Sequence, residues 1–314
     1  MYELDCTRSR ELAREAIWLA RETPDPRTRA AVMFRACQSL LSPDTLAERA
    51  ALLPEILDGA TASGDGALEF WAQWLNAWVS IEQGELGKAR AAFERADLLS
   101  DQLGQPTIKW TATRLAACLA LFRGDLAAAE ESAERALEVG KEAGEADAPM
   151  MYALVLGAVR AVQGRLVVTP MLEQTVAASP RVGAFRAGLA RALASTGRRD
   201  EAAAIIRQAV ANGLEDLPWN PVRLTALAQF TEAAITTGTS DAYAVLYEAF
   251  DPFADQVVTT AAVGYGLSRT YLGMLAAGLG RYEQADEHFR IASEFHRREH
   301  MLVWEARSEI TATP

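Results

Sequence analysis

QGELGKARAAFERA, residues 83–96, carries the pattern that decides the fold. Gly84 interrupts an apolar-periodic segment, Ala89 follows five residues later, Phe93 four after that and Ala96 three further on. Glycine suits the left-handed position that closes a helix, and the acidic Glu85 beyond it suits the positive end of the next one. Ala89 is small enough for two paired helices to approach closely, and Phe93 fills the space between one pair and its neighbour. The stretch therefore encodes the end of one helix, a tight turn and the start of a second.

The same spacing returns in RGDLAAAEESAERA (123–136, with Gly124, Ala129, Ala133 and Ala136) and in TGRRDEAAAIIRQA (196–209, with Gly197, Ala202, Ile206 and Ala209). It returns again in LGRYEQADEHFRIA (279–292, with Gly280, Ala285, Phe289 and Ala292). Weaker copies start at Gly164 and Gly238, and two more surround Ala13 and Ala47. From Gly84 onward the glycines stand 40, 40, 33, 41 and 42 residues apart. A period in this range marks stacked supersecondary units, none of which buries its apolar face without a neighbour.

Extended over the chain, the pattern predicts seven helical hairpins, at 27–60, 64–104, 106–143, 147–178, 182–212, 219–252 and 257–297. A lone helix over 9–22 precedes them and a short one over 300–310 follows. Pro43, Pro106, Pro149, Pro180, Pro218, Pro221 and Pro252 fall at the expected loops or first turns, where a missing N–H costs little. The fold class is all-α, a right-handed superhelix forming one repeat domain over 1–314. Leu12, Ala16, Ile17 and Ala20 give the lone helix the character of a second helix without its first. The expectation is that the array is the C-terminal part of a longer protein, or that this helix pairs between chains in a homo-oligomer.

Composition narrows the function. Half of the 314 residues are hydrophobic, enough for a sizeable core, and alanine dominates the apolar set. The net charge of −11, without any long basic run, sets the chain against direct nucleic-acid binding. Cys6, Cys37 and Cys118 are odd in number and widely spaced, which fits a reducing cytoplasm rather than a disulfide framework. No signal peptide is evident, and the most apolar late segment, 259–280, is broken by Arg269 and Tyr271, so no membrane span is expected.

At the unit GDLAAAEESAERALEVGKEAG (124–144), at LPWNPVRLTALAQFTEAA (217–234) and at VGYGLSRTYLGMLAAGLGRYEQADEHFRIA (263–292), the sequence resembles a known group. It is similar to the tetratricopeptide-like (MalT-like) C-terminal arrays of bacterial signalling proteins, namely LuxR-type transcription regulators and AAA-ATPase-linked adenylate or guanylate cyclases. The resemblance covers essentially the whole chain. It implies a non-catalytic regulatory arm that receives a protein, peptide or small effector on its concave face and controls an output module. The chain itself has no GxxxxGK[ST] phosphate loop and no helix-turn-helix with a basic recognition face, so cyclase, ATPase and DNA-binding activity do not carry over.

Four residues form the expected groove. Counting Ala89 as repeat position 20, Trp71, Trp74 and Trp78 take positions 2, 5 and 9, which face the concave side in tetratricopeptide proteins, and Arg114 takes position 5 of the next repeat. Such a stripe grips an apolar or aromatic ligand while Arg114 supplies a charge; the competing assignment puts the tryptophans in the core. No catalytic residue, metal or cofactor is expected. His296, Glu299 and His300 do spell the HxxEH pattern of inverted zinc peptidases, which would need both histidines on one helical face and a further ligand downstream. A solvated helix end is the simpler account of that segment. His288, between Glu287 and Arg290, is expected to be exposed and without a role, and Cys118, in LAACLALF, to be a buried, inert thiol.

Overall fold

The computed structural model describes residues 6–165, 170–178, 183–260 and 262–312. Helix α1 (Cys6–Arg21) comes first, followed by α2 (Pro26–Ser39) with α3 (Leu46–Ser63), α4 (Gly66–Glu82) with α5 (Leu86–Leu103), and α6 (Pro106–Arg123) with α7 (Leu126–Glu142). Then come α8 (Ala148–Val162) with α9 (Pro170–Ala178), α10 (Gly183–Ser195) with α11 (Arg199–Ala211), and α12 (Arg223–Thr237) with α13 (Tyr243–Phe250). Strands β1 (Val257–Thr259) and β2 (Gly264–Leu267) precede α14 (Ser268–Gly278), α15 (Tyr282–Arg298) and α16 (Leu302–Ala312). The described residues thus form an all-α superhelix of seven hairpins flanked by single helices. Pro180 lies outside the described residues.

The turn glycines behave as their spacing requires. Gly84, Gly124, Gly164, Gly197, Gly238 and Gly280 all have positive φ, between 67° and 84°. Behind each, the next residue's N–H reaches back to a carbonyl five residues earlier, as in Glu85 N to Ser80 O (2.8 Å), Asp125 N to Ala120 O (3.1 Å) and Arg281 N to Ala276 O (2.8 Å). That 6→1 bond satisfies a carbonyl the helix end would leave unpaired. The small residue five places on is buried in every strong copy: Ala89, Ala129 and Ala202 are inaccessible and Ala285 nearly so.

One element departs from the expected pattern. Over 257–267 the chain forms an antiparallel ribbon rather than helix, with Val257 opposite Leu267 and Thr259 opposite Gly264. Every described strand residue is buried. The GYG run at 264–266 belongs to the second strand of this ribbon. A Cβ on Gly264 would sit 2.1 Å from the Phe122 ring of α6, so only glycine lets the strand lie there. Sequence periodicity misses it because Val257, Val258 and Val263 are equally compatible with a buried helix.

The array curls until distant hairpins touch. Arg10 of α1 bonds Asp44 (2.9 Å) and the Trp219 carbonyl (3.0 Å), and the Gln256 amide donates to the Pro43 carbonyl (2.9 Å). Helix α1 packs as a second helix should: Arg14 pairs with Glu48 and Arg21 with Glu55 on α3, each 34 residues on. These pairs are exposed and contribute little. Inside, Arg49 of α3 is fully buried, holds Glu82 of α4 at 2.5 Å and donates to the Ser42 carbonyl at 3.1 Å. Burial pushes the Glu82 carboxyl upward and Arg49 opposes it.

His296 fastens the ribbon to the last hairpin. Its Nε2 accepts the Leu267 N–H at 3.0 Å, so the imidazole is neutral, and burial pulls it down to about 4. Unfolded chains therefore take up a proton near pH 6.5 that the folded chain refuses, and stability falls as pH drops from about 6.5 towards 4. Between pH 7 and pH 5, urea denaturation should show a loss of about 2 kcal/mol that His296→Gln removes. An unchanged slope in that variant would refute the assignment. Glu82→Ala should cost about 3–5 kcal/mol by stranding Arg49, whereas Arg49→Met with Glu82→Leu together should come out near neutral in the same measurement.

Candidate functional site

The first helices of the hairpins share a register, so their inner faces are legible as rows. Six residues before each turn glycine stand Trp78, Cys118, Ala158, Arg191, Glu232 and Met274. Ten before stand Trp74, Arg114, Leu154, Ala187, Ala228 and Thr270. The chemistry changes along the rows from aromatic on α4, to arginine and thiol on α6, to an ion pair across α10 and α12.

The ribbon covers part of this surface. Thr259 Oγ1 lies 3.8 Å from Cys118 Sγ, the Tyr265 ring lies 5.5 Å from the Arg191 guanidinium, and the Gln229 amide donates to the Tyr265 hydroxyl at 3.3 Å. The Tyr271 hydroxyl in turn donates to the Tyr265 carbonyl at 2.7 Å. Cys118 is fully enclosed and its thiol is pushed up to about 12 by burial, far from nucleophilic chemistry.

Of the four expected groove residues, the tryptophans form a ladder along α4. Trp71 meets Trp74 edge to face at 5.8 Å, and Trp74 meets Trp78 likewise at 5.0 Å. Trp71 also touches the rings of Phe34 (5.9 Å) and Phe70 (5.1 Å). Trp78 is buried, while Trp71 and Trp74 each pack against two apolar clusters and keep part of their surface open. Such contacts are worth about 0.5–1.5 kcal/mol each beyond area burial.

Arg114 sits differently. Its guanidinium stacks 4.5 Å above the Trp110 ring one turn earlier on α6. Among the described residues it has no ion-pair or hydrogen-bond partner, and its Nε is buried and unsatisfied, as is Trp110 Nε1. Burial pulls the guanidinium below the ordinary arginine range, with Asp147 and Glu145 opposing from further off. Arg114 and Trp110 line a small cavity with Ala133 and Ala136 of α7, with Met151, Tyr152 and Val155 of α8, and with Ala262 of the ribbon turn. Its interior, about 10 Å³, has room for a single water.

The remaining candidates resolve by contact. Helix α15 stops at Arg298, and His300 has a left-handed φ of 56°, so HRREH is not one helical face. His296 already spends Nε2 on the Leu267 N–H. His288 is buried rather than exposed: the Tyr247 hydroxyl lies 3.0 Å from Nε2 and Arg269 lies 3.4 Å from Nδ1, and burial with the nearby Arg269 lowers its basicity. No group of three potential ligands gathers among the described residues. No described helix is long and apolar enough to cross a membrane.

Position counting also passes over a charged cluster. Glu232 of α12 takes Arg191 of α10 on one oxygen and Arg307 of α16 on the other, the latter at 2.7 Å. The signal lies in the rows: Arg191 and Glu232 occupy one repeat position in consecutive Ala-rich first helices, where an apolar residue is expected.

Residues 71–95, 183–208 and 266–290 match the tetratricopeptide repeat family. The segments coincide with the hairpins α4–α5, α10–α11 and α14–α15, the last starting inside β2. No curated protein matches the sequence. The array is therefore built on tetratricopeptide-type repeats, a scaffold that generally serves protein–protein interaction.

Proposed function

We propose that this chain is a non-catalytic recognition array that takes, at Arg114 of α6, a protein or peptide partner or a small effector that presents a carboxylate beside an aromatic or apolar group. The half-buried Arg114, whose Nε is buried and unsatisfied, carries the proposal. A cation partly withdrawn from water with no carboxylate in contact is costly, and a ligand carboxylate meeting the terminal nitrogens, outside the one-water cavity, supplies both charge and hydrogen bonds. Trp110, Tyr152 and Met151 around it, and Leu154 and Trp74 in the neighbouring positions of its row, give the apolar wall. The resemblance to MalT-like regulatory arms supports a wider role: a cytoplasmic sensor, one repeat domain over 1–314, biasing the output module of a bacterial transcription regulator or cyclase.

A second role is favoured by one patch. On α1, Leu12, Trp18 and Leu19 are 48%, 62% and 53% exposed, and Leu12 and Ala16 border a shallow apolar trough with Val32 and Ala36 of α2. A homo-oligomer that joins two chains through α1 would cover it.

Panning a randomised heptapeptide library against the chain should enrich sequences that combine an acidic with an aromatic residue. Arg114→Ala should weaken the enriched peptides at least tenfold, about 1.4 kcal/mol, while leaving the thermal midpoint nearly unchanged. Enrichment of basic peptides, or undiminished binding by the variant, would defeat the proposal. Trp74→Ala should destabilise the fold by about 3 kcal/mol, since the ring packs on two clusters. If that variant stays folded and still binds, the tryptophans belong to the core alone. For the second role, light scattering should show a dimer that Leu19→Glu dissociates.

A further inference from the structure

A helix that follows a hairpin in a repeat array normally stacks on the helix before it. Helix α16 does more: it also runs across the inner face. Met301 and Trp304 are 0% and 2% exposed, while Leu302 on the other side is 62% exposed. Val303 lies so close to the end of α6 that a Cβ on Gly124 would fall 2.8 Å from its methyl. The Trp304 ring lies over Gly266, at 3.1 Å from a Cβ built there, and 6.2 Å from the Tyr265 ring. One turn on, Arg307 reaches Glu232 on α12. The contacts are thus Met301 just before the helix, Val303, and Trp304 and Arg307, which stand three residues apart on one side of it.

The seat under α16 has a definite chemistry. Gly124 and Gly266 make a floor without side chains, Tyr265 gives an aromatic wall, and Glu232 stands at the far end. Arg191 takes one oxygen of that carboxylate, leaving the other for a cation from the occupant. Such a seat takes an amphipathic helix with an aromatic residue and an arginine three positions apart.

The hold on α16 is moderate. Arg307 is 28% exposed, so solvent screens its pair with Glu232.

We infer that α16 is a resident occupant of a helix-binding seat on the inner face, and that a partner protein presenting an amphipathic Trp-x-x-Arg helix displaces it. The inference is independent of the Arg114 opening, whose walls come from other residues.

The test uses the full chain and, as probe, a labelled peptide of residues 299–314. In the unmodified chain, hydrogen exchange should open α16 at least a hundredfold faster than α14 and α15. Arg307→Glu should remove protection from α16 while α10 and α12 keep theirs, and should raise the affinity of the added peptide at least tenfold. The same peptide carrying Arg307→Glu should not bind. Equal protection of α16 and α15 in the unmodified chain overturns the inference without any variant. So does a variant whose whole array melts with α16, or peptide binding that Arg307→Glu leaves unchanged.

Discussion

The glycine that ends each first helix governs the rest of the structure. In the left-handed conformation it reverses the chain within two residues, and the 6→1 hydrogen bond behind it fixes where the second helix starts. Because that geometry repeats, the alanines five positions after Gly84, Gly124, Gly197 and Gly280 arrive at the same close contact, and the first helices keep a common register. Any side chain in place of Gly84 would be strained by φ and would also collide with Phe295, whose ring lies 2.5 Å from where a Cβ would stand. The turn thus sets both the local hairpin and the approach of the last hairpin to the second.

From this regularity follows a surface that changes chemistry without changing shape. The row containing Trp78, Cys118, Ala158, Arg191, Glu232 and Met274 occupies one geometric line of buried or nearly buried positions, so its chemistry decides what packs against it. Where the row is small or uncharged, at Cys118, the ribbon lies against it; where it is charged, at Glu232, α16 supplies the counter-ion. The ribbon and α16 thus lie against this row.

The hairpins were legible because their signal is local: a glycine, a small residue and a bulky one at fixed offsets report directly on a turn and two helix faces. The ribbon was not, since three consecutive strand residues carry too short a period to distinguish from helix, and the reason for Gly264 lies on Phe122, more than a hundred residues away. His288 was misplaced for a related reason. Its neighbours Glu287 and Arg290 face water, but its own side of α15 meets Tyr247 and Arg269 from two other elements. The repeat positions of Trp71, Trp74, Trp78 and Arg114 can be counted from Ala89, whereas the stacking of Arg114 on Trp110 depends on a side-chain direction that counting does not give.

The two enclosed ion clusters have a common logic that is not stability. Removing two charges from water offsets most of what they gain from each other, and well-packed apolar residues at Arg49 and Glu82 would hold α3 to α4 as firmly. What a buried pair adds is discrimination: sliding α4 by one turn along α3 would leave Arg49 enclosed without Glu82, a far larger penalty than misaligning leucines. An alanine-rich array needs such markers, because Ala faces fit one another in several registers. Arg191 and Glu232 mark α10 against α12 in the same way, and Arg307 extends the mark to the helix that lies across them. Partner choice at that seat therefore uses the same carboxylate that aligns the array, which ties recognition to correct assembly of the inner face.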